Sequence, residues 1–217
     1  MKKVIVLAGV VALLASLSAF ADGDAAAGQQ KAAVCAACHG VDGNSINPEW
    51  PKLAGQHASY FIQQLEYFAL PADSLRARVN PLMSAQAVAL SQQDREDLAA
   101  YYASQTIQTG AADPGQLAKG ERLYRGGNLE TGVSACTACH GPTGNGNEAS
   151  GYPTLAGQHA TYVEAQLRAY RAAAAGATAV NGGRTTDPAQ IMRGVAGRLT
   201  DEEIRAVAQY VQGLHGN

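Results

Sequence analysis

The chain has 217 residues, 47% of them hydrophobic, with 16 Lys and Arg set against 18 Asp and Glu for a formal charge of −2. That length permits one large or two small domains. The mildly acidic balance excludes a nucleic-acid binder, because no basic surface would neutralise phosphates.

The chain begins MKKVIVLAGVVALLASLSAFA, with Lys2 and Lys3 ahead of an apolar run from Val4 to about Leu17 and the small-residue pattern Ala19-Phe20-Ala21 at its end. This is the layout of a secretory signal peptide, residues 1–21, with cleavage expected after Ala21 and the periplasm as destination. The alternative is an uncleaved anchor, since Val4 to Ala21 lies near the lower length limit for a membrane span. Cleavage would leave 196 of the 217 residues and remove only the two lysines, taking the formal charge from −2 to −4. No later apolar run approaches spanning length.

The rest of the chain is one unit written twice. Cys35-Ala-Ala-Cys38-His39-Gly40 matches Cys136-Thr-Ala-Cys139-His140-Gly141 at an offset of 101. Pro51-Lys-Leu-Ala-Gly-Gln56-His57-Ala-Ser-Tyr60 matches Pro153-Thr-Leu-Ala-Gly-Gln158-His159-Ala-Thr-Tyr162 at 102, and Met83 through Tyr101 matches Met192 through Tyr210 at 109. So long a period means duplicated domains rather than a solenoid. The Gly- and Pro-containing stretch Thr109 to Pro114 breaks any periodicity, giving an N-terminal domain of residues 22–108, a linker of 109–114 and a C-terminal domain of 115–217.

In each unit a short helix, near Ala25 to Val34 or Gly115 to Arg125, precedes the cysteines, and a Gly-, Asn- and Pro-rich loop follows them. A second helix carries Tyr60, Phe61, Leu65 and Phe68, mirrored by Tyr162, Val163, Leu167 and Tyr170. The last helix starts at Ser91 or Thr200, each a hydroxyl cap with acid in the first turn. Strand alternation is absent, so the fold class is all-α. Units this short and rich in Ala and Gly bury little apolar volume, which leaves room for something else in the middle of each.

Two cysteines three apart set their sulfurs on one side of a helical turn, and the adjoining histidine projects beside them. In an exported protein this serves covalent haem attachment, the thiols adding to two vinyl groups and the histidine binding iron. A thioredoxin-like dithiol would need a βαβ setting; a four-cysteine zinc site would have to draw on pairs about a hundred residues apart; disulfides give no reason for a histidine after both pairs. Chance would place one of the five histidines after both pairs about once in two thousand trials. Two haem c groups are therefore expected.

A six-coordinate iron needs a further ligand, methionine or histidine. Beyond the initiator the chain has only Met83 and Met192, one per repeat at corresponding positions. A single Met is by default a core residue, but two in register with two haem motifs favour ligation. His57 and His159 are duplicated as faithfully, so the residues alone leave both pairs open. His215 has no counterpart and is read as a surface residue.

CAACHG and CTACHG, WPKLAGQHASY and YPTLAGQHATY, and a lone Met before a capped helix bearing Leu98 and Tyr101 or Val207 and Tyr210 resemble the class I c-type cytochromes. Within that class the closest resemblance is to the two-haem cytochromes c4, and it spans nearly the whole chain after residue 21. It implies two tandem class I cytochrome c-like domains, each a few helices wrapped around one haem bound covalently through Cys35 and Cys38, or Cys136 and Cys139. It further implies His39 and His140 as proximal iron ligands and Met83 and Met192 as distal ones. Gln56, His57, Gln158 and His159 then become helix-start and haem-edge residues near the domain interface, off the iron. Pro51 and Pro153 should sit beside the proximal imidazoles, and Gly28 and Gly120 should let the first helix pack closely on the last. Extra residues before Cys136, and unequal segments before the two methionines, depart from the family pattern, the latter around Arg78 and Arg184, the candidates for contact with a haem propionate.

With both axial positions filled, the resemblance implies an electron carrier and no enzyme. Its redox partners would be a quinol-oxidising complex or dehydrogenase upstream and a terminal oxidase downstream, with loose membrane association left open. Two alternatives stand beside it: the two-haem subunit of a flavin-containing dehydrogenase, and a two-haem peroxidase or sulfur-compound oxidase, which would need a displaceable ligand at one iron.

Overall fold

The computed structural model describes residues 23–216; the signal-peptide reading falls on residues outside them. The first repeat holds α1 (Ala25–Lys31), α2 (Ala33–His39), α3 (Ala58–Ala69), α4 (Pro81–Ala87) and α5 (Gln92–Ala103). The second holds α6 (Pro114–Gly126), α7 (Thr137–His140), α8 (Ala160–Ala174), α9 (Ile191–Ala196) and α10 (Asp201–Gly213). Among the described residues the only extended pairings are two isolated bridges, Asn128 with Val133 and Asn147 with Tyr152. Among the described residues the architecture is all-α, two tandem domains with the same order of helices.

In each repeat the first helix packs on the last, α1 on α5 and α6 on α10. Glycine makes the crossing close: a Cβ on Gly28 would stand 2.0 Å from the Asp97 carbonyl oxygen, and one on Gly120 2.2 Å from that of Ala206. The last helices begin in full capping boxes, Ser91 with Asp94 and Thr200 with Glu203, as the hydroxyl and acid spacing requires.

Three local features depart from the expected elements. The first helix bends at Ala32, so that α2 is a separate helix carrying Cys35, Cys38 and His39. In the second repeat α6 instead ends at Gly127, and a loop closed by Asn128 and Val133 intervenes before α7. Both methionines lie on short helices of their own, α4 and α9. Asn80 starts α4, its side chain accepting from the Met83 N–H at 3.0 Å with Pro81 in the first turn. Ahead of α9, Ala189 and Gln190 adopt φ of 52° and 59°, strained for residues with a Cβ.

The segment between repeats is pinned at both ends. Asn44 binds it on the first side, donating to the Thr106 carbonyl at 3.0 Å and accepting from Gln108 N at 2.8 Å. Gly110 N donates to the Gln212 carbonyl at 3.1 Å on the other, and Asp113 caps α6 through Gly115 N at 2.8 Å.

Candidate haem sites and their interface

Each cysteine-histidine motif ends its helix with a buried imidazole: His39 and His140 are both 6% exposed. His39 Nδ1 lies 2.8 Å from the Pro51 carbonyl oxygen, and His140 Nδ1 lies 3.0 Å from that of Pro153. Those contacts assign the proton to Nδ1 and leave the Nε2 lone pair available, the tautomer an iron ligand needs. Burial pushes both imidazolium pKa values down against the pull of the two carbonyls, which favours the neutral, ligating ring.

Cys35 and Met83 pack against the first-repeat core around Leu65, Phe68, Leu98 and Tyr102, and Cys136 and Met192 against the second around Tyr124, Tyr170, Ile204 and Val211. Each methionine thus shares a core with its own cysteine motif. None of the four cysteines forms a disulfide. Among the described residues no group of three or more His, Cys, Asp and Glu side chains converges, so the two pairs do not assemble a four-thiolate zinc site.

Of the two repeated histidines, one bonds across the contact between repeats. His57 and His159 are the cap residues of α3 and α8. His159 Nε2 donates across the boundary to the Ser45 carbonyl at 2.8 Å, with Ser45 Oγ at 3.0 Å. Its twin differs: His57 Nε2 is buried with no hydrogen-bond partner. The glutamines beside them reach across too, Gln158 pairing with the backbone of Lys52 and Gln56 with that of Thr154.

Between the two repeats also lies a polar network around Arg78 and Arg184 whose bonds the sequence does not specify. Arg78 donates to Gln64 at 3.0 Å and to Tyr162 and Gln166 at 2.8 Å each. Arg184 mirrors it, donating to Gln166 at 2.8 Å and to Tyr60 and Gln64 at 2.9 Å each. Gln64-Leu65 and Gln166-Leu167 match at the same offset of 102 as the Pro51 and Pro153 runs, a signal in the sequence that by itself gives the glutamines no role.

The sequence matches the Cytochrome c family over residues 25–106 and again over 117–215. It is 46% identical to cytochrome c4 of Stutzerimonas stutzeri, over 95% of this chain and 98% of that one. The chain belongs to the two-haem cytochrome c4 family. The structure of reduced recombinant cytochrome c4 from Pseudomonas stutzeri superposes with a TM-score of 0.81 at 45% identity, covering 89% of this chain and 100% of that chain. A further relative, the thiosulfate dehydrogenase electron acceptor of Thiomonas intermedia strain K12, is 40% identical over 93% of this chain and 88% of its own.

As a member of the cytochrome c4 family, the chain is a two-haem electron-transfer protein with two covalently bound haem c groups. Its interior fits such a group. Gln64 Nε2 and Arg184 Nε are buried donors without an acceptor, and among the described residues neither Arg78 nor Arg184 has a carboxylate partner. A surplus of buried donors and positive charge calls for an anionic acceptor, and haem propionates are that chemistry.

Proposed function

We propose that the mature protein is a periplasmic electron carrier, not an enzyme, passing electrons between respiratory partners toward a terminal oxidase. In this reading Cys35 and Cys38 hold one haem as thioethers and Cys136 and Cys139 the other. His39 with Met83, and His140 with Met192, would bind the two haem irons. When bound, each haem iron supplies one-electron chemistry by alternating between ferric and ferrous states. The protein's own contribution is to fix ring orientation through the Pro51 and Pro153 carbonyls, to supply a soft thioether that favours the ferrous ion, and to keep the two sites joined across a hydrogen-bonded boundary.

The observation carrying this reading is the duplication of one geometry: in both repeats a buried histidine is held at Nδ1 by a prolyl carbonyl, and the first cysteine of its motif packs on the same domain core as the repeat's sole methionine. Periplasmic placement is supported by the N-terminal sequence. Spectroelectrochemistry of the mature protein tests the assignment. Met83→Leu should abolish the methionine-iron charge-transfer band of one haem and lower that midpoint by on the order of 0.1 V, within the ~0.8 V that axial ligands span; Met192→Leu should do the same to the other. Peroxide turnover by the wild type would overturn the carrier reading.

One observation favours a second donor. The 40% identical relative is named for accepting electrons from a thiosulfate dehydrogenase, so a periplasmic sulfur-compound dehydrogenase stands beside a quinol-oxidising complex as the upstream partner. Stopped-flow reduction by each donor separates them. A flavin-containing dehydrogenase would reveal itself by co-purifying in fixed stoichiometry.

A further inference from the structure

Two peptide groups join the repeats to their opposite proximal histidines. The oxygen of the Pro51–Lys52 peptide accepts from His39 Nδ1 at 2.8 Å. The N–H of the same peptide donates to Gln158 Oε1 at 2.9 Å, and Gln158 Nε2 returns a bond to the Lys52 carbonyl at 2.9 Å. The second copy repeats this: the Pro153–Thr154 peptide accepts from His140 Nδ1 at 3.0 Å and donates to Gln56 Oε1 at 3.0 Å, with Gln56 Nε2 donating to the Thr154 carbonyl at 3.0 Å. Gln158 is 7% exposed and Lys52 8%, so water does not substitute readily at the first junction.

We propose that Gln56 and Gln158 are positioning residues which, each through one shared peptide, adjust the basicity of the proximal histidine in the opposite repeat. The amide is a conjugated plane. An acceptor on its N–H shifts electron density to its oxygen, and hydrogen bonds in a chain strengthen one another by about 10–30% per bond. A stronger acceptor at Nδ1–H makes the imidazole a stronger donor through Nε2, which favours ferric iron and lowers the reduction potential. Neither glutamine touches the histidine it acts on. An interface amide could have landed on any backbone group, yet in both copies it lands on the one peptide whose oxygen holds the ring. Docking of the repeats therefore sets part of each site's potential, with the control crossed between domains.

This inference rests on His39 and His140 being the proximal ligands, and the test separates the two. In the full-length, haem-loaded protein, Gln158→Leu and Gln158→Met remove the acceptor and should raise the midpoint of the first-repeat haem alone. Gln56→Leu should raise that of the second alone. The change expected is roughly twofold in the reduced-to-oxidised ratio, from a tens-of-per-cent change in one hydrogen bond, or about 18 mV at about 59 mV per tenfold for one electron. Gln158→Glu keeps an acceptor oxygen and should return the midpoint to the wild-type value or below. The proton NMR signal of His39 Nδ1–H should move with these variants. Equal shifts of both haems, a shift confined to the mutated residue's own repeat, or no shift with ligation intact would overturn the relay. A His39 ring lacking paramagnetic shifts would overturn the ligand assignment and the relay with it.

Discussion

Arg78 Nη2 donates to Tyr162 Oη at 2.8 Å, joining residues 84 positions apart across the two repeats. Its mirror, Arg184 Nη2 to Tyr60 Oη at 2.9 Å, spans 124 positions. The symmetry extends to the backbone: Arg78 N–H donates to the Tyr67 carbonyl and Arg184 N–H to that of Ala169, each at 2.9 Å. Each arginine is thus anchored in its own repeat, by its backbone and by one glutamine, and spends its Nη2 on the other repeat, so the boundary is built from directional bonds.

Removing one guanidinium should therefore uncouple the repeats. Arg184 is 6% exposed, and Arg184→Leu strips donors from Tyr60, Gln64 and Gln166. Leaving buried polar groups short of partners costs on the order of 3 kcal/mol. Guanidinium denaturation followed at the haem bands should change from one concerted transition to two. Arg184→Lys should recover less than half of the loss, because a point ammonium cannot serve three acceptors in the fixed planes of a guanidinium.

The helix crossings give a prediction whose sign opposes ordinary propensity. Exchanging Gly for Ala inside a helix normally stabilises by about 0.5–1 kcal/mol. At Gly28 the new Cβ would meet the Asp97 carbonyl at 2.0 Å, and at Gly120 the Ala206 carbonyl at 2.2 Å; both obstacles are backbone and cannot rotate away. Gly28→Ala and Gly120→Ala should each destabilise by at least about 1–3 kcal/mol. Hydrogen exchange should show the loss in α1 and α5 for the first and in α6 and α10 for the second.

What the sequence made legible follows from what repeats and what acts locally. The cysteine-histidine motifs, the paired methionines, the close glycines and the caps at Ser91 and Thr200 are signalled by residues a few positions apart, and the duplication states each one twice. The short α4 escaped because Asn80 and Pro81, a cap and a first-turn proline, enclose too few residues for periodicity to register. The Arg78 and Arg184 network escaped for a different reason. Its partners lie between 14 and 124 positions away, and nothing in a single sequence says that two domains dock face to face. Ser45 illustrates the same limit: only the docked structure places its carbonyl on His159.

Acid should weaken the first repeat through Asp97. This carboxylate is 3% exposed and accepts from Lys31 Nζ at 2.5 Å, Gln93 at 2.8 Å and Asp24 N at 2.9 Å. Lys31 foremost, then Gln93 and the Asp24 N–H, hold its pKa below the usual carboxylate range. A carboxyl whose folded pKa lies below its unfolded one lends stability that is complete above the unfolded value, about 3.9, and lost as pH falls toward the folded value. Stability of the first repeat should therefore drop as pH descends from about 4. Asp97→Asn should be less stable than wild type at neutral pH, with the gap closing below pH ~4. Denaturation midpoints at a series of pH values check this; a gap of constant size would refute it.

The duplicated histidines should separate under the same substitution. His159 Nε2 is satisfied by the Ser45 carbonyl, whereas His57 Nε2 is buried without a partner. At offset 101 Gly146 stands where the first repeat has Ser45, so the second repeat offers no hydroxyl like the one at 3.0 Å from His159 Nε2. Burial pushes the His159 pKa down, against the Ser45 carbonyl and with the charge of Lys52, so the ring crosses the boundary as a neutral donor. His159→Leu leaves a carbonyl unpaired and should cost about 1–3 kcal/mol. His57→Leu removes a group that already lacks its bond, and should cost less than about 1 kcal/mol or stabilise. Neither variant should alter the methionine-iron band that Met83→Leu abolishes, because His159 spends its Nε2 on the Ser45 carbonyl and His57 stands in the corresponding place at the start of α3; loss of that band in His57→Leu would return the histidine to the list of iron ligands.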